Sequence, residues 1–238
     1  MSPVALTYAA LAAFGNVLGA AAVTWRAKWS TGALKGMLAL SAGFMVSVAL
    51  VELIPESIVR GGISSGGWIL GGYLVVHLTQ HTIGGHFHFG EERHPVSTSV
   101  SAAALGGLLV HTLVDGVAIA SGYEVSPALG ALVFGAVLLH KVPEGLAIAS
   151  MFLAAGAPRR TALLAAGALG VTTIVGVGLT SWIEPLTRVG LPIAAGVSLY
   201  VGASNLVPEL HRMPRWRTAF AFFGGCALFV IARSMLSS

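Results

Sequence analysis

His111 and Asp115 stand four residues apart in one apolar stretch, and His140 and Glu144 stand four apart in another. Four residues is just over one helical turn, so each pair projects from a single helix face. The stretches match one another: residues 111–121, HTLVDGVAIAS, and 140–150, HKVPEGLAIAS, agree at six of eleven positions. Two imidazoles and two carboxylates make a four-ligand set for a divalent transition metal. Zinc heads the list because it accepts nitrogen and oxygen donors in a tetrahedron. Iron, manganese, cobalt and cadmium accept the same donors.

Both motifs sit near the middle of stretches long enough to cross a bilayer. An ionised residue at the centre of a lipid-facing helix is expensive, roughly 2.5–3.5 kcal/mol on insertion scales. Asp115, Lys141 and Glu144 together would then cost on the order of 8–10 kcal/mol. They must instead face one another, water or an ion. A hydrogen-bonded network that only glues two helices is the plain alternative, and two matching motifs at mid-depth argue against it.

Composition sets the surroundings. The chain has 238 residues, 55% of them hydrophobic and 9% charged, and its mean hydropathy is +0.85. Soluble domains carry about 25% charged residues, so this is an integral membrane protein, and residues 1–238 are expected to form a single transmembrane transport domain. The formal charge of +4 is read loop by loop and does not point to nucleic acid. The one cysteine, Cys226, permits neither an intrachain disulfide nor a thiolate cluster, and argues against a soft Cu(I) site.

Eight apolar spans are expected, at about 4–24, 36–58, 67–83, 100–121, 128–155, 161–183, 190–210 and 216–236, each near the roughly 20 residues needed to cross. The first 24 residues lack a basic leader, so 4–24 is read as a retained helix. Helices satisfy their own backbone in lipid, which makes the fold an all-α polytopic bundle. With the N-terminus outside, inner loops hold Arg26, Lys28, Lys35, Arg93, Arg159, Arg160, Arg212, Arg215 and Arg217, against Arg60, Arg188 and Arg233 outside. That bias places both termini on the extracytoplasmic side. Residues 42–57 and 195–210 agree at six of sixteen positions, including Pro55-Glu56 and Pro208-Glu209. They lie in spans of opposite direction, the mark of an inverted repeat flanking a midplane site. Spans 1–3 and 6–8 would then be related around spans 4 and 5.

Pro143 cannot donate a backbone bond to the Leu139 carbonyl, so a free carbonyl is expected beside His140. Gly116 and Gly145 directly follow the carboxylates; they either permit close packing or leave room for an ion. Two carboxylates balance a dication. Lys141, three residues before Glu144, would hold Glu144 ionised or limit the site to one ion. Binding needs neutral imidazoles and ionised carboxylates, so uptake is expected to weaken at low pH.

With HTLVDG and HKVPEG in spans 4 and 5 and Val207-Pro208-Glu209-Leu210 in span 7, the chain resembles the ZIP (Zrt-, Irt-like protein) family of divalent metal transporters over essentially its whole length. The resemblance implies eight helices with both ends extracytoplasmic. It also implies inward transport of Zn²⁺ or a related ion through His111, Asp115, His140 and Glu144, and an elevator-like movement. Many members carry Asn after the first motif histidine and Asn, Asp or Glu after the second, helping to hold a second ion. Here those positions are Thr112 and Lys141, and span 6 lacks the glutamate of binuclear members. One ion is therefore expected, with the Lys141 ammonium standing where the second would be.

Other polar residues suggest a route. His77 and His81 near the inner end of span 3, His86 and His88 in the following loop, and Glu209 and His211 after span 7 are candidates for a cytoplasmic exit path. Glu56 is a candidate for the outer entrance, and Glu52 for the path or the frame. Trp25, Trp29, Trp68, Trp182 and Trp216 fall near span ends, as interface anchors do.

The leading function is secondary transport of Zn²⁺, with Cd²⁺, Fe²⁺, Mn²⁺ or Co²⁺ as other substrates, into the cytoplasm across a plasma (inner) membrane. The partners are the ion and the lipid bilayer, with a homodimer left open. No nucleotide-binding motif is present, so an ion gradient or the membrane potential would drive it. The alternative is an intramembrane zinc-dependent hydrolase. Against it, there is no HExxH motif, and four ligands leave no open position for a catalytic water. A sensor without flux is disfavoured by the want of any sizeable soluble output domain.

Overall fold

The computed structural model describes residues 2–25, 31–82, 98–206 and 215–236, and every regular element among them is helical. We number the rods in chain order. They are α1 (Pro3–Trp25), α2 (31–61), α3 (Ser65–Thr82), α4 (Thr98–Val125), α5 (Pro127–Ala154), α6 (Arg159–Trp182), α7 (184–206) and α8 (Arg215–Leu236). Six stretches are long and apolar enough to cross a membrane: Pro3–Trp25, Leu38–Gly61, Ser101–Val125, Pro127–Leu153, Arg159–Trp182 and Trp216–Leu236. The chain is a polytopic helical membrane protein. Val189–Ser204 in α7 is a shorter apolar helix. A helix, α3, stands where the third span is expected, but Gly66, Gly67, Gly71, Gly72 and the polar run from His77 to Thr82 dilute its hydropathy, and it is not among the six.

Two rods contain π-helical turns, Ala49–Leu53 in α2 and Tyr200–Leu206 in α7. Their cause is legible. Pro55 and Pro208 follow them, and a proline leaves a carbonyl one turn back without its donor. The wider turn reorganises the ladder: the Ile54 N–H donates to the Ala49 carbonyl, five residues back. The two π segments fall on matched positions of the 42–57 and 195–210 repeat.

Small residues decide which rods touch. A methyl group at Gly145 would meet the backbone carbonyl of Asn16, and one at Gly19 that of Val142, so α1 and α5 pack backbone to backbone. Gly116 lies likewise against the Thr173 carbonyl, and Gly176 against that of Leu113, joining α4 to α6. Gly43 and Gly225 join α2 to α8, and Gly72 and Gly196 join α3 to α7, again each against a carbonyl of the other rod. Gly170 packs on Ala13, closing α6 onto α1. The glycines after Asp115 and Glu144 thus serve close packing, which answers the question their positions pose in the sequence.

Contacts between α1/α4/α5/α6 and α2/α3/α7/α8 are of another kind. Gly190 of α7 faces the Ser121 and Val117 side chains of α4, and Gly135 of α5 faces the Phe44 ring of α2. Trp25, Trp68, Trp182 and Trp216 are all exposed at rod ends, where amphipathic rings sit at a bilayer interface. Trp29 lies outside the described residues.

Candidate metal centre

α4 and α5 run antiparallel through a one-residue connection. Ser126 is extended, its hydroxyl accepts from the Leu129 N–H, and Pro127 opens α5, a preorganised helix start. The tight reversal sets the two motif faces side by side.

His111, Asp115, His140 and Glu144 are all buried, and one ligand atom from each lies within 4.8 Å of the others. His111 Nε2 is 3.4 Å and His140 Nε2 3.3 Å from the same Asp115 Oδ2. His140 Nε2 is 3.9 Å from Glu144 Oε2. The two imidazole rings are 5.4 Å apart, centre to centre. His140 Nδ1 is 2.8 Å from the Ala136 carbonyl. That oxygen only accepts, so Nδ1 carries a proton, and Nε2 is the ring atom turned toward the carboxylates. A neutral imidazole with its proton on Nδ1 would present an Nε2 lone pair beside carboxylate oxygens, a cradle for positive charge.

Part of that charge is built in. Lys141 has no exposed surface, and its Nζ donates to Asp115 Oδ2 at 2.7 Å and to Glu144 Oε2 at 3.0 Å. Two carboxylates, one ammonium and neutral imidazoles leave the cluster with a net charge of about −1 under the usual protonation states. Among the described residues, Glu144 Oε1 and His111 Nδ1 are buried without a hydrogen-bond partner, against the general rule for buried polar atoms. The cluster therefore has donor capacity that the protein itself leaves unused.

The remaining sequence candidates are distributed as follows. Thr112 is buried, and its hydroxyl donates to its own helix, to the Leu109 carbonyl at 3.1 Å. Glu56 is engaged by Arg60 at 2.6 Å. It lies close to a cavity of about 420 Å³ lined by Ser57, Arg60, Ser121, Glu124, Leu191 and Pro192. Glu52 pairs with Arg233 and ties α2 to α8. His77 is exposed on α3, its ring 5.7 Å from Tyr200 and edge-on to it. Tyr73 and Ser204 share a 2.8 Å hydrogen bond beside it. The His81 side chain, and His86, His88, Glu209 and His211 altogether, lie outside the described residues.

Two features escaped the sequence reading. Glu124 carries no motif, and only the fold brings it to the cavity. Ser41 lies one residue outside the repeat, and its hydroxyl donates to the Leu139 carbonyl at 2.7 Å. The signal for that bond was present: Pro143 leaves Leu139 without its helical donor, and a buried carbonyl finds another.

None of the curated proteins compared with the chain matches it. Among protein families, residues 90–233 match the one described as ZIP Zinc transporter, which is well over half of the 238 residues and runs from before α4 into α8. This covers both histidine–carboxylate motifs, and its members move metal ions without transforming a substrate, which removes the hydrolase alternative. The chain belongs to the ZIP zinc transporter family and is a membrane transporter of metal ions, not an enzyme.

Proposed function

We propose that the chain carries Zn²⁺ into the cytoplasm through a single site made by His111, Asp115, His140 and Glu144. Cd²⁺, Fe²⁺, Mn²⁺ and Co²⁺ are the competing substrates. The observation that carries this is the convergence of four buried nitrogen and oxygen donors within 4.8 Å. The set suits a borderline cation that accepts tetrahedral coordination. Lys141 limits the site to one ion: its ammonium already bonds the carboxylate oxygens that a second cation would need. The exit path runs past His77 and His81 toward the loop histidines, Glu209 and His211. The entrance lies at the cavity near Glu56, on the outer side of a plasma membrane with both chain ends extracytoplasmic.

The packing supports an eight-span, inverted-repeat arrangement in which α1 pairs with α6, α2 with α7, α3 with α8 and α4 with α5. Under that exchange the α1/α5 contact becomes α6/α4, and α2/α8 becomes α7/α3. Among the described residues, those are the four rod pairs in which a glycine of each rod meets a backbone carbonyl of the other. Backbone-tight contacts within α1/α4/α5/α6 and within α2/α3/α7/α8, with side-chain contacts between the two sets, favour alternating access. The first set carries the ion and moves against the second, with the whole chain acting as one transport unit.

Purified protein in liposomes is expected to take up Zn²⁺, and a panel of divalent ions will rank its preferences. His140→Ala combined with Glu144→Ala is expected to reduce uptake to the level of protein-free liposomes. Uptake that survives the double substitution would overturn the site assignment.

A further inference from the structure

Pro143 breaks the backbone ladder of α5 beside the ion site. It has no N–H to give, so the Leu139 carbonyl is orphaned within its own helix. Leu139 directly precedes His140. The missing donor comes from another rod: the Ser41 hydroxyl, on α2, lies 2.7 Å from that carbonyl. Ser41 is fully buried, and a deeply buried hydroxyl needs such a partner as much as the carbonyl does.

The internal repeats supply a comparison within the same chain. In the 42–57/195–210 alignment the counterpart of Ser41 is Ala194, and in the histidine motifs the counterparts of Leu139 and Pro143 are Val110 and Val114. Val114 keeps its N–H, so Val110 needs no outside donor, and the matched position on α7 has no hydroxyl to offer. Proline and serine occur together on one side of the repeat and are absent together on the other.

We infer that Ser41 is a positioning residue for metal binding. Its hydroxyl replaces the backbone donor lost at Pro143, fixes the path of α5 where the ladder is broken, and thereby sets the reach of His140 and Glu144 toward Asp115. The bond also joins α2 to α5 across the boundary between the two helix sets, so this register of the ion site is tied to one arrangement of those sets. The inference rests on the metal-site reading above for its functional side. The bond itself stands on geometry alone.

The test is a double-substitution cycle with Ser41→Ala, Pro143→Ala and both changes together, read on full-length detergent-solubilised protein. With alanine at 143 the backbone N–H returns, Leu139 is satisfied from within α5, and the serine becomes dispensable. Co²⁺ is the probe, because its visible absorption reports ligand geometry. Ser41→Ala is expected to weaken Co²⁺ binding about fivefold, the worth of one net hydrogen bond, and to shift the absorption band. In the Pro143→Ala background the same change is expected to have no effect on either. Equal effects of Ser41→Ala in both backgrounds would overturn the inference, since additivity means the two residues do not act through a shared partner. The cycle is repeated on apparent melting temperature without added metal, where the same non-additivity is expected. A wild-type protein that binds no Co²⁺ would sink the metal-site reading, while the melting cycle would still decide the fate of the Ser41–Pro143 coupling.

Discussion

At the scale of single residues, Lys141 sets the charge of the proposed ion site. A fully buried ammonium bonded to two buried carboxylates is a neutralising element, and taking away one member of such a group leaves charge unpaired. Removing a buried partner costs about 3–5 kcal/mol. Lys141→Met keeps the length of the side chain and deletes the charge. Without added metal the variant is expected to melt well below the wild type. Zn²⁺ should then raise its melting temperature by more than it raises that of the wild type, because the ion now balances two carboxylates that no longer share an ammonium. Ligand-linked stabilisation reports that difference directly, in thermal scans at matched Zn²⁺ concentrations. A variant that melts with the wild type and gains no more from Zn²⁺ would show that the ammonium bears little on the cluster's charge.

At the scale of elements, the glycines beside the proposed ligands are the test of the packing scheme. A methyl group at Gly145 meets the Asn16 carbonyl, and one at Gly116 meets the Thr173 carbonyl. Backbone cannot yield as a flexible side chain does. Gly145→Ala and Gly116→Ala are therefore each expected to destabilise by about 1–3 kcal/mol or more, as overpacking does, and to displace the adjoining carboxylate. Gly107→Ala is the control, on the same rod as Gly116 but with nothing among the described residues within 4 Å of the added carbon. A helix-interior alanine there is expected to be neutral or to stabilise by about 0.5–1 kcal/mol. Melting temperatures of the three variants check the contrast, and three equal values would overturn the scheme.

The same elements show what could be read before any coordinates. The convergence of His111, Asp115, His140 and Glu144 was legible because a repeated histidine–carboxylate spacing in apolar surroundings leaves few physical alternatives. The rods were legible from hydropathy, α3 most weakly, because glycines and histidines thin its signal. What Gly116 and Gly145 do was not legible, since a glycine next to a ligand fits both a cavity and a close contact, and only the opposing carbonyl distinguishes them. The Ser41–Leu139 bond joins residues 98 positions apart. Half of it, the orphaned carbonyl, follows from Pro143 alone; the identity of its donor depends on how α2 lies against α5. Glu124 was silent because a lone carboxylate near a helix end looks like any solvated charge.

At the scale of the whole molecule, the proposed transport requires the two helix sets to move against each other, and α4/α7 is where a covalent bond would stop them. An added Cβ at Gly190 would lie 3.6 Å from the Ser121 Cβ, within the separation of about 3.5–4.5 Å that a disulfide spans. Ser121 belongs to the set proposed to carry the ion and Gly190 to the other. In a background where Cys226 is changed to serine, Ser121→Cys with Gly190→Cys should cross-link under mild oxidation. Uptake into liposomes is then expected to stop, and to return when a reductant opens the bond. Each single cysteine variant should transport under both conditions, which separates the effect of the bond from that of the substitutions. The ion site itself is untouched, so Zn²⁺ binding in detergent should survive cross-linking even as flux is lost. Binding without flux is what a carrier locked in one arrangement must show. Flux that persists through a quantitatively formed cross-link would mean that the ion crosses without the sets moving past each other at α4 and α7.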